Sequence, residues 1–461
     1  MERLRATIGS IEESRWAAII PMTVAAVLGV FTIGDKSIWL DEGFSARIID
    51  LPTLDLAAHL WRTELQASPY YLVLQQWSVL GHSEAALRSL SVIFGVVGVL
   101  ATWAVGRRYG VGFIAALLLA VSPFFIHYEQ EMRVYTLLTA WSALTTLAYL
   151  RLTDRPNRWR AALYVVAAVV LIYLHPLSGW LLVAHALATV LFADPRLRLR
   201  LLAPYIPVLI GSIPMIQYGL LNHGRANWIP AATPGVIVDA LSALMGAPLL
   251  AIALTIVLAL GLARVWRREL PVLAVPILLV TVTVGGILLT SWIIQPALVD
   301  RYLIGVLPFL FIVVARAIQS LPAPRLILGA LVALSLAGVA SWYVDGFKDD
   351  WRGAAAYVED HAVATDGVVF YPNWYRLPFT YYATVGEPLY PATPWSARYR
   401  PFTGMGTDLP PDFANPRIWL VRSVGSEPPP EVGAILARYE MVESRIFGPE
   451  EPEVDLLVRR P

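Results

Sequence analysis

Arg88-Ser89-Leu90-Ser91-Val92-Ile93-Phe94-Gly95-Val96-Val97-Gly98-Val99-Leu100-Ala101-Thr102-Trp103-Ala104-Val105-Gly106, closed by Arg107-Arg108, decides the fold class of this chain. Between its flanking arginines no residue is charged, and a helix needs roughly 20 mostly apolar residues to cross a bilayer. Scanning outward gives about eleven such runs: 16–34, 88–106, 111–127, 134–151, 161–174, 177–193, 202–221, 248–263, 270–293, 302–318 and 325–343. The fifth and sixth are short and divided by His175-Pro176, so a single hairpin is an alternative reading. Of the 461 residues 57% are hydrophobic and 15% charged, against about 25% charged in soluble proteins. Too little polar surface remains to cover a water-soluble fold of this length, and lipid must cover the rest.

The arginines orient the spans. Arg3, Arg5 and Arg15, then Arg107 and Arg108, then Arg151, Arg155, Arg158 and Arg160 mark one set of ends. Arg196, Arg198 and Arg200, then Arg264, Arg267 and Arg268, then Arg316 and Arg325 continue it, whereas the opposite loops hold only isolated Arg133, Arg225 and Arg301. Basic short loops face the cytoplasm. The N-terminus is therefore expected inside a cell membrane, and an odd number of crossings carries the C-terminus outside. The first run has no small-residue cleavage site behind it and reads as a retained helix, not a signal peptide.

These assignments give a polytopic α-helical membrane domain, 1–343, with a first external loop at 35–87, followed by an external domain at 344–461. The tail turns rich in Pro, Asp, Glu and Arg. Helix-like 351–361, strand-like Gly367–Tyr371, Arg417–Val421 and Val454–Val458, and helix-like 430–438 predict a small α/β domain. The net charge of +1 includes no basic block, which argues against a nucleic-acid partner. There are no cysteines, and Lys36 and Lys348 are the only lysines; the preference for Arg fits a GC-rich bacterial genome. No phosphate-binding Gly-rich loop is present, which disfavours a nucleotide-sugar donor and ATP-driven transport.

Polar chemistry concentrates on the outer side. Ser37-Ile38-Trp39-Leu40-Asp41-Glu42-Gly43-Phe44 sets two carboxylates just past an apolar helix, where they need water or a cation. From the residues alone they are either a solvated helix cap or a general base. Arg301, beside Asp300 on an otherwise uncharged hairpin, either snorkels into headgroups or offers a planar fork to a phosphate. Glu131 and Arg133 either pair with each other or face a ligand. Trp228 reads as a membrane-belt residue or a sugar platform, and His175 as a turn histidine. Leu54, Leu56, Ala57, Leu60 and Trp61 can share one face of a short interfacial helix over 51–65. The external histidines His59, His82, His127 and His223 lack metal-ligand spacing. No cofactor or metal is therefore expected to be required, although a divalent cation at a phosphate stays compatible with the sequence.

Trp39-Leu40-Asp41-Glu42-Gly43 resembles the acidic motif of integral-membrane glycosyltransferases of the protein O-mannosyltransferase and aminoarabinose transferase type. Ser68-Pro69-Tyr70-Tyr71-Leu72 is similar to that family's Pro-Pro-x-Tyr-Tyr segment, with Ser68 for the first Pro. Glu84-Ala85-Ala86-Leu87-Arg88 resembles its Glu-x-x-x-Arg, and Glu129-Gln130-Glu131-Met132-Arg133-Val134-Tyr135 its Ser-Gln-Glu-x-Arg-x-Tyr, with Glu129 where Ser is usual. Asp300-Arg301-Tyr302 resembles an Arg-Tyr pair before a late span, and Asp349-Asp350-Trp351-Arg352 the start of the external domain in bacterial relatives. The matches run in order over about 300 residues.

The resemblance implies a GT-C fold and transfer of a sugar from a polyprenyl-phosphate donor in the membrane to an extracytoplasmic glycolipid, glycan or protein. Mannose leads for the sugar, with a pentose such as arabinose second. By that resemblance Asp41 is the catalytic base with Glu42 beside it, and Arg301 and Arg133 meet the donor phosphate. Glu131, Gln130, Tyr70, Tyr71, Tyr302 and Trp228 contact substrate. A lone base fits the chemistry: the leaving phosphate departs as an anion and needs little acid help, unlike the alcohol that gives glycosidases their second carboxylate. The competing reading is a lipid-linked sugar transporter or flippase whose outer carboxylates bind substrate or a coupling ion.

Overall fold

The computed structural model describes residues 16–222, 224, 226–346, 348–383, 389–390, 414–425, 433–434, 436–448 and 452–461. Expectations placed on Arg3, Arg5, Arg15, His223 and Arg225, on the side chains of Arg267 and Arg268, and on 430–432 and 435 of the expected last helix lie outside the described residues. The chain divides into two compact units: residues 16–31, 64–70 and 88–345, and residues 32–63, 71–87 and the described part of 346–461.

The first unit is helical and membrane-embedded. Among the described residues five helices are long and apolar enough to cross a membrane: Glu84–Tyr109, Pro195–Leu221, Leu270–Ile293, Asp300–Ser320 and Pro324–Asp345. There are seven if two bent pairs each count as one span, and the shorter apolar helices are Ile19–Val30 and Pro176–Phe192. The run expected as one span over 111–127 is such a pair, Gly112–Ala120 and Pro123–Glu129, bent by 62°. Pro123 cannot donate to the preceding turn, and Ser122 caps the second piece by accepting from the Phe125 N–H. The polar stretch expected to separate spans 248–263 and 270–293 stays helical, so that Pro248–Ile293 is one continuous element. The helices on either side of His175-Pro176 are separate, and the Ser178 hydroxyl bonds the Leu171 and His175 carbonyls at the break.

Small residues let these helices approach closely, as lipid-embedded packing requires. A Cβ on Gly261 would lie 2.5 Å from the Ala317 Cβ, and one on Gly286 would enter the Trp180 ring. Polar side chains among these helices pair with one another: His185 bonds Thr146 at 3.0 Å and Tyr164 at 3.3 Å, and Tyr164 donates to Tyr205 at 3.0 Å. Such pairing offsets the cost of polar groups in an apolar surround.

The second unit contains a five-stranded sheet in the order β2-β1-β3-β5-β4, with β1 Gly367–Tyr371, β2 Leu389–Tyr390, β3 Arg417–Arg422, β4 Tyr439–Ile446 and β5 Glu453–Arg459. β1 runs parallel to β2 and β3, while β5 is antiparallel to β3 and β4. The helix Trp351–His361 packs Trp351, Ala354, Ala355 and Val358 against Val368, Phe370, Trp419 and Val421. This is the expected α/β domain, and helix 351–361 and strand 367–371 match the expected bounds. β4 escaped the reading because it is an edge strand, exposed along most of its length and shifted in register between Met441 and Glu443.

The first loop supplies the helices Leu40–Ile48 and Thr53–Thr63 to this same unit. Thr53–Thr63 buries Leu56, His59 and Leu60 but leaves Leu54 and Trp61 exposed. Its apolar residues therefore divide between two faces and do not form the single one expected.

Candidate functional site

In the second unit, Trp39 is extended and the helix Leu40–Ile48 begins at the next residue. Glu42 is fully buried, and its Oε2 accepts from the Trp39 N–H at 3.4 Å. The helix-cap reading of the acidic pair is thus fulfilled by Glu42 and not by Asp41. The same Oε2 lies 2.9 Å from the Lys348 ammonium, whose side chain is only 4% exposed. Burial of one ion without its partner would be costly, so this pair stands or falls together. Asp41 is half-buried, and its carbonyl accepts from the Ser45 hydroxyl at 3.0 Å. Two carboxylates adjacent in sequence therefore differ in burial, Glu42 sealed against an ammonium and Asp41 half-buried in the same turn.

Around them the loop and the tail interlock within this unit. Lys36 donates to the Gly346 carbonyl at 2.6 Å, and Ser37 donates to Asp350 at 3.3 Å. The Ile38 N–H donates to the Tyr382 hydroxyl at 2.7 Å, which in turn donates to Glu84 at 2.8 Å. Burial pushes the Tyr382 phenol above its ordinary range, which keeps it a donor. Arg352 completes the cluster with an ion pair to Glu84 at 2.5 Å. Asp350 caps the helix Trp351–His361 by accepting from the Gly353 N–H at 2.9 Å. Tyr71 is buried and meets Phe44 edge-on at 6.1 Å.

In the first unit, the segment after Pro123–Glu129 carries the other expected residues. Glu131 is 2% exposed and pairs with the His127 Nε2 at 3.1 Å. The His127 ring lies between Tyr128, at 4.6 Å, and Trp342, at 3.9 Å. Gln130, expected to contact substrate, is turned inward: its amide donates to the Gly29 and Phe31 carbonyls and its carbonyl accepts from the Trp342 indole. Arg133 is half-buried and Tyr70 fully buried. Arg301 is half-buried, its backbone N–H donating to the Asp300 carboxylate at 2.7 Å, with the guanidinium over Trp228 at 5.4 Å and Tyr302 at 5.8 Å. Tyr302 in turn rests against His175 at 4.4 Å.

Three participants went unassigned in the sequence. Lys348 carried a signal, as one of two lysines in an Arg-dominated chain. His127 carried only its spacing of four from Glu131, and Tyr382 carried none. Among the described residues no three His, Asp or Glu side chains gather as a metal site.

Residues 69–218 match the family described as dolichyl-phosphate-mannose-protein mannosyltransferase. Similar solved structures include ArnT from Cupriavidus metallidurans in the apo state, at 14% sequence identity and TM-score 0.59 over 95% of this chain and 97% of that one. ArnT from the same organism bound to undecaprenyl phosphate aligns at 13% identity and TM-score 0.56, over 96% of this chain and 98% of that one. No curated protein matches the chain in sequence. The family match and the shared fold bear out the resemblance to membrane glycosyltransferases of the GT-C fold, the protein O-mannosyltransferase and aminoarabinose transferase type.

Proposed function

We propose that this protein is a glycosyltransferase of the cell membrane that moves a sugar from a polyprenyl-phosphate lipid to an extracytoplasmic glycolipid, glycan or protein. The donor class is supported by the fold shared with ArnT, one structure of which is bound to undecaprenyl phosphate. Mannose is the first candidate for the sugar, in keeping with the matched family's description, and a pentose such as arabinose the second. In this reading the N-terminus is cytoplasmic and the C-terminal domain external.

The mechanism is a single inverting displacement. Asp41 accepts the proton of the acceptor hydroxyl as its oxygen attacks the anomeric carbon. The bond from that carbon to the phosphate oxygen breaks, and the lipid phosphate leaves with the electron pair. Arg301, with Arg133, receives the phosphate through charge-assisted hydrogen bonds. Glu131, Gln130, Tyr70, Tyr71, Tyr302 and Trp228 shape the substrate seat, Gln130 indirectly through the backbone it holds.

The observation that supports the base assignment is the difference in burial within the acidic pair: Glu42 is fully buried against Lys348, whereas Asp41 is only half-buried. A transfer assay with a polyprenyl-phosphate mannose or pentose donor, comparing the parent with Asp41→Asn, tests it. A general base contributes about 10²–10⁴-fold, so turnover should fall at least that far. Unchanged turnover in a folded variant removes Asp41 from the role.

A further inference from the structure

We propose that the tail following the last apolar helix presents the base: Lys348 and Tyr382 are positioning residues that fix the first turn of Leu40–Ile48 and with it Asp41. This inference rests on the reading of Asp41 as the base.

The turn that carries Asp41 is held from the tail at several points. Lys36, Ser37 and Ile38 bond Gly346, Asp350 and Tyr382 respectively. Arg352 donates from its backbone to the Ser37 hydroxyl and from its guanidinium to the Gly34 and Asp35 carbonyls. Past Asp41, Glu42 is pinned by Lys348. Gly43 sits directly on the helix Arg376–Tyr382, where an added Cβ would come within 2.7 Å of the Pro378 nitrogen. Residues 38, 42 and 43 are thus each fixed by a group more than 300 positions away in the chain. A nine-residue helix of this kind has little stability of its own, and catalysis tolerates little error in the placement of a base. The tail supplies the rigidity that the loop lacks.

The choice of residue fits that task. Lys348 donates a compact ammonium to the Glu42 Oε2 in a closed seat, where a planar guanidinium would need more room. Both lysines of the chain, Lys36 and Lys348, lie on this seam.

Positioning and plain structural support make different predictions. In the full-length protein, Tyr382→Phe, Lys348→Met and the double variant Glu42→Gln/Lys348→Met are compared with the parent by transfer kinetics, thermal midpoint and hydrogen–deuterium exchange of the peptide covering 36–45. Tyr382→Phe should lower kcat about 10-fold and Lys348→Met about 10–100-fold, with donor KM unchanged within about twofold and faster exchange in 36–45. The double variant leaves no buried charge unpaired, so its thermal midpoint should return toward the parent's while kcat stays low. A double variant with both the parent's midpoint and the parent's kcat overturns the proposal, as does unchanged exchange in 36–45 for Tyr382→Phe. If Lys348→Met fails to fold, the other two variants decide. Asp41→Asn run alongside separates the two readings: full turnover there removes the base assignment and leaves the exchange result standing.

Discussion

Glu129 stands where the resembled family usually has Ser, and the structure shows what makes room for it. The side chain is fully buried, and neither carboxyl oxygen has a hydrogen-bond partner among the described residues. It fills a niche between Ile19–Val30 and Glu84–Gly106 that two glycines leave open. A Cβ on Gly95 would collide with its Oε1, and one on Gly29 would lie 2.9 Å from its Oε2. Gly95→Ala should therefore overpack this crossing, at a cost of about 1–3 kcal/mol. Glu129→Ser removes an unsatisfied buried polar group, worth about 1–3 kcal/mol, but also loses about 0.8 kcal/mol per buried methylene and opens a cavity. Its net effect should be small. In the double variant the new methyl enters the vacated space, so the Gly95→Ala penalty should largely vanish, an interaction of about 1–3 kcal/mol. The assay is the thermal midpoint of the four proteins in detergent. Equal penalties for Gly95→Ala in both backgrounds, or a Glu129→Ser variant far below the parent, would refute the steric argument.

Two further outcomes are expected. Arg301→Lys keeps the charge but loses the planar fork and the contact with Trp228, so donor KM should rise about tenfold or more with kcat less affected; donor kinetics at unchanged KM would sink the phosphate role. Burial holds the His59 imidazole below its ordinary value, so the folded state binds fewer protons than the unfolded one. Its contribution is then complete above about pH 6.5 and is lost as pH falls from there toward the lowered value. Thermal midpoints between pH 5 and 7.5 should flatten in His59→Leu, and an identical slope in parent and variant would contradict this.

Much of the fold was legible because lipid imposes a coarse code. Uncharged runs need no tertiary information, and neither does the change of composition that marks the C-terminal sheet domain. The alternation that gave β1, β3 and β5 worked because those strands are buried. β4 failed the same test because its exposed side chains carry no apolar period. The bend at Pro123 was visible as a proline in an apolar run, but composition averages over it. The continuous helix Pro248–Ile293 shows the opposite error: a polar interruption was taken for a turn, although polarity alone does not break backbone hydrogen bonds.

The candidate site was legible where a few charges interrupt apolar sequence, as Asp41, Glu131 and Arg301 do. What stayed hidden was the partner of Glu42, because it comes from distant sequence: Lys348 lies 306 residues away. This matters most for the acidic pair. Consecutive residues on a helix point about 100° apart, so adjacency cannot make Asp41 and Glu42 equivalent, and only the tail decides which one is sealed. With Lys348 in place the Glu42 carboxylate is paired and becomes part of the scaffold, while Asp41 stays half-buried. Remove Lys348 and the distinction loses its physical basis, since Glu42 would then have to find water or another cation and drag the first turn with it. The difference in burial between Glu42 and Asp41 is therefore a property of the tail as much as of the loop.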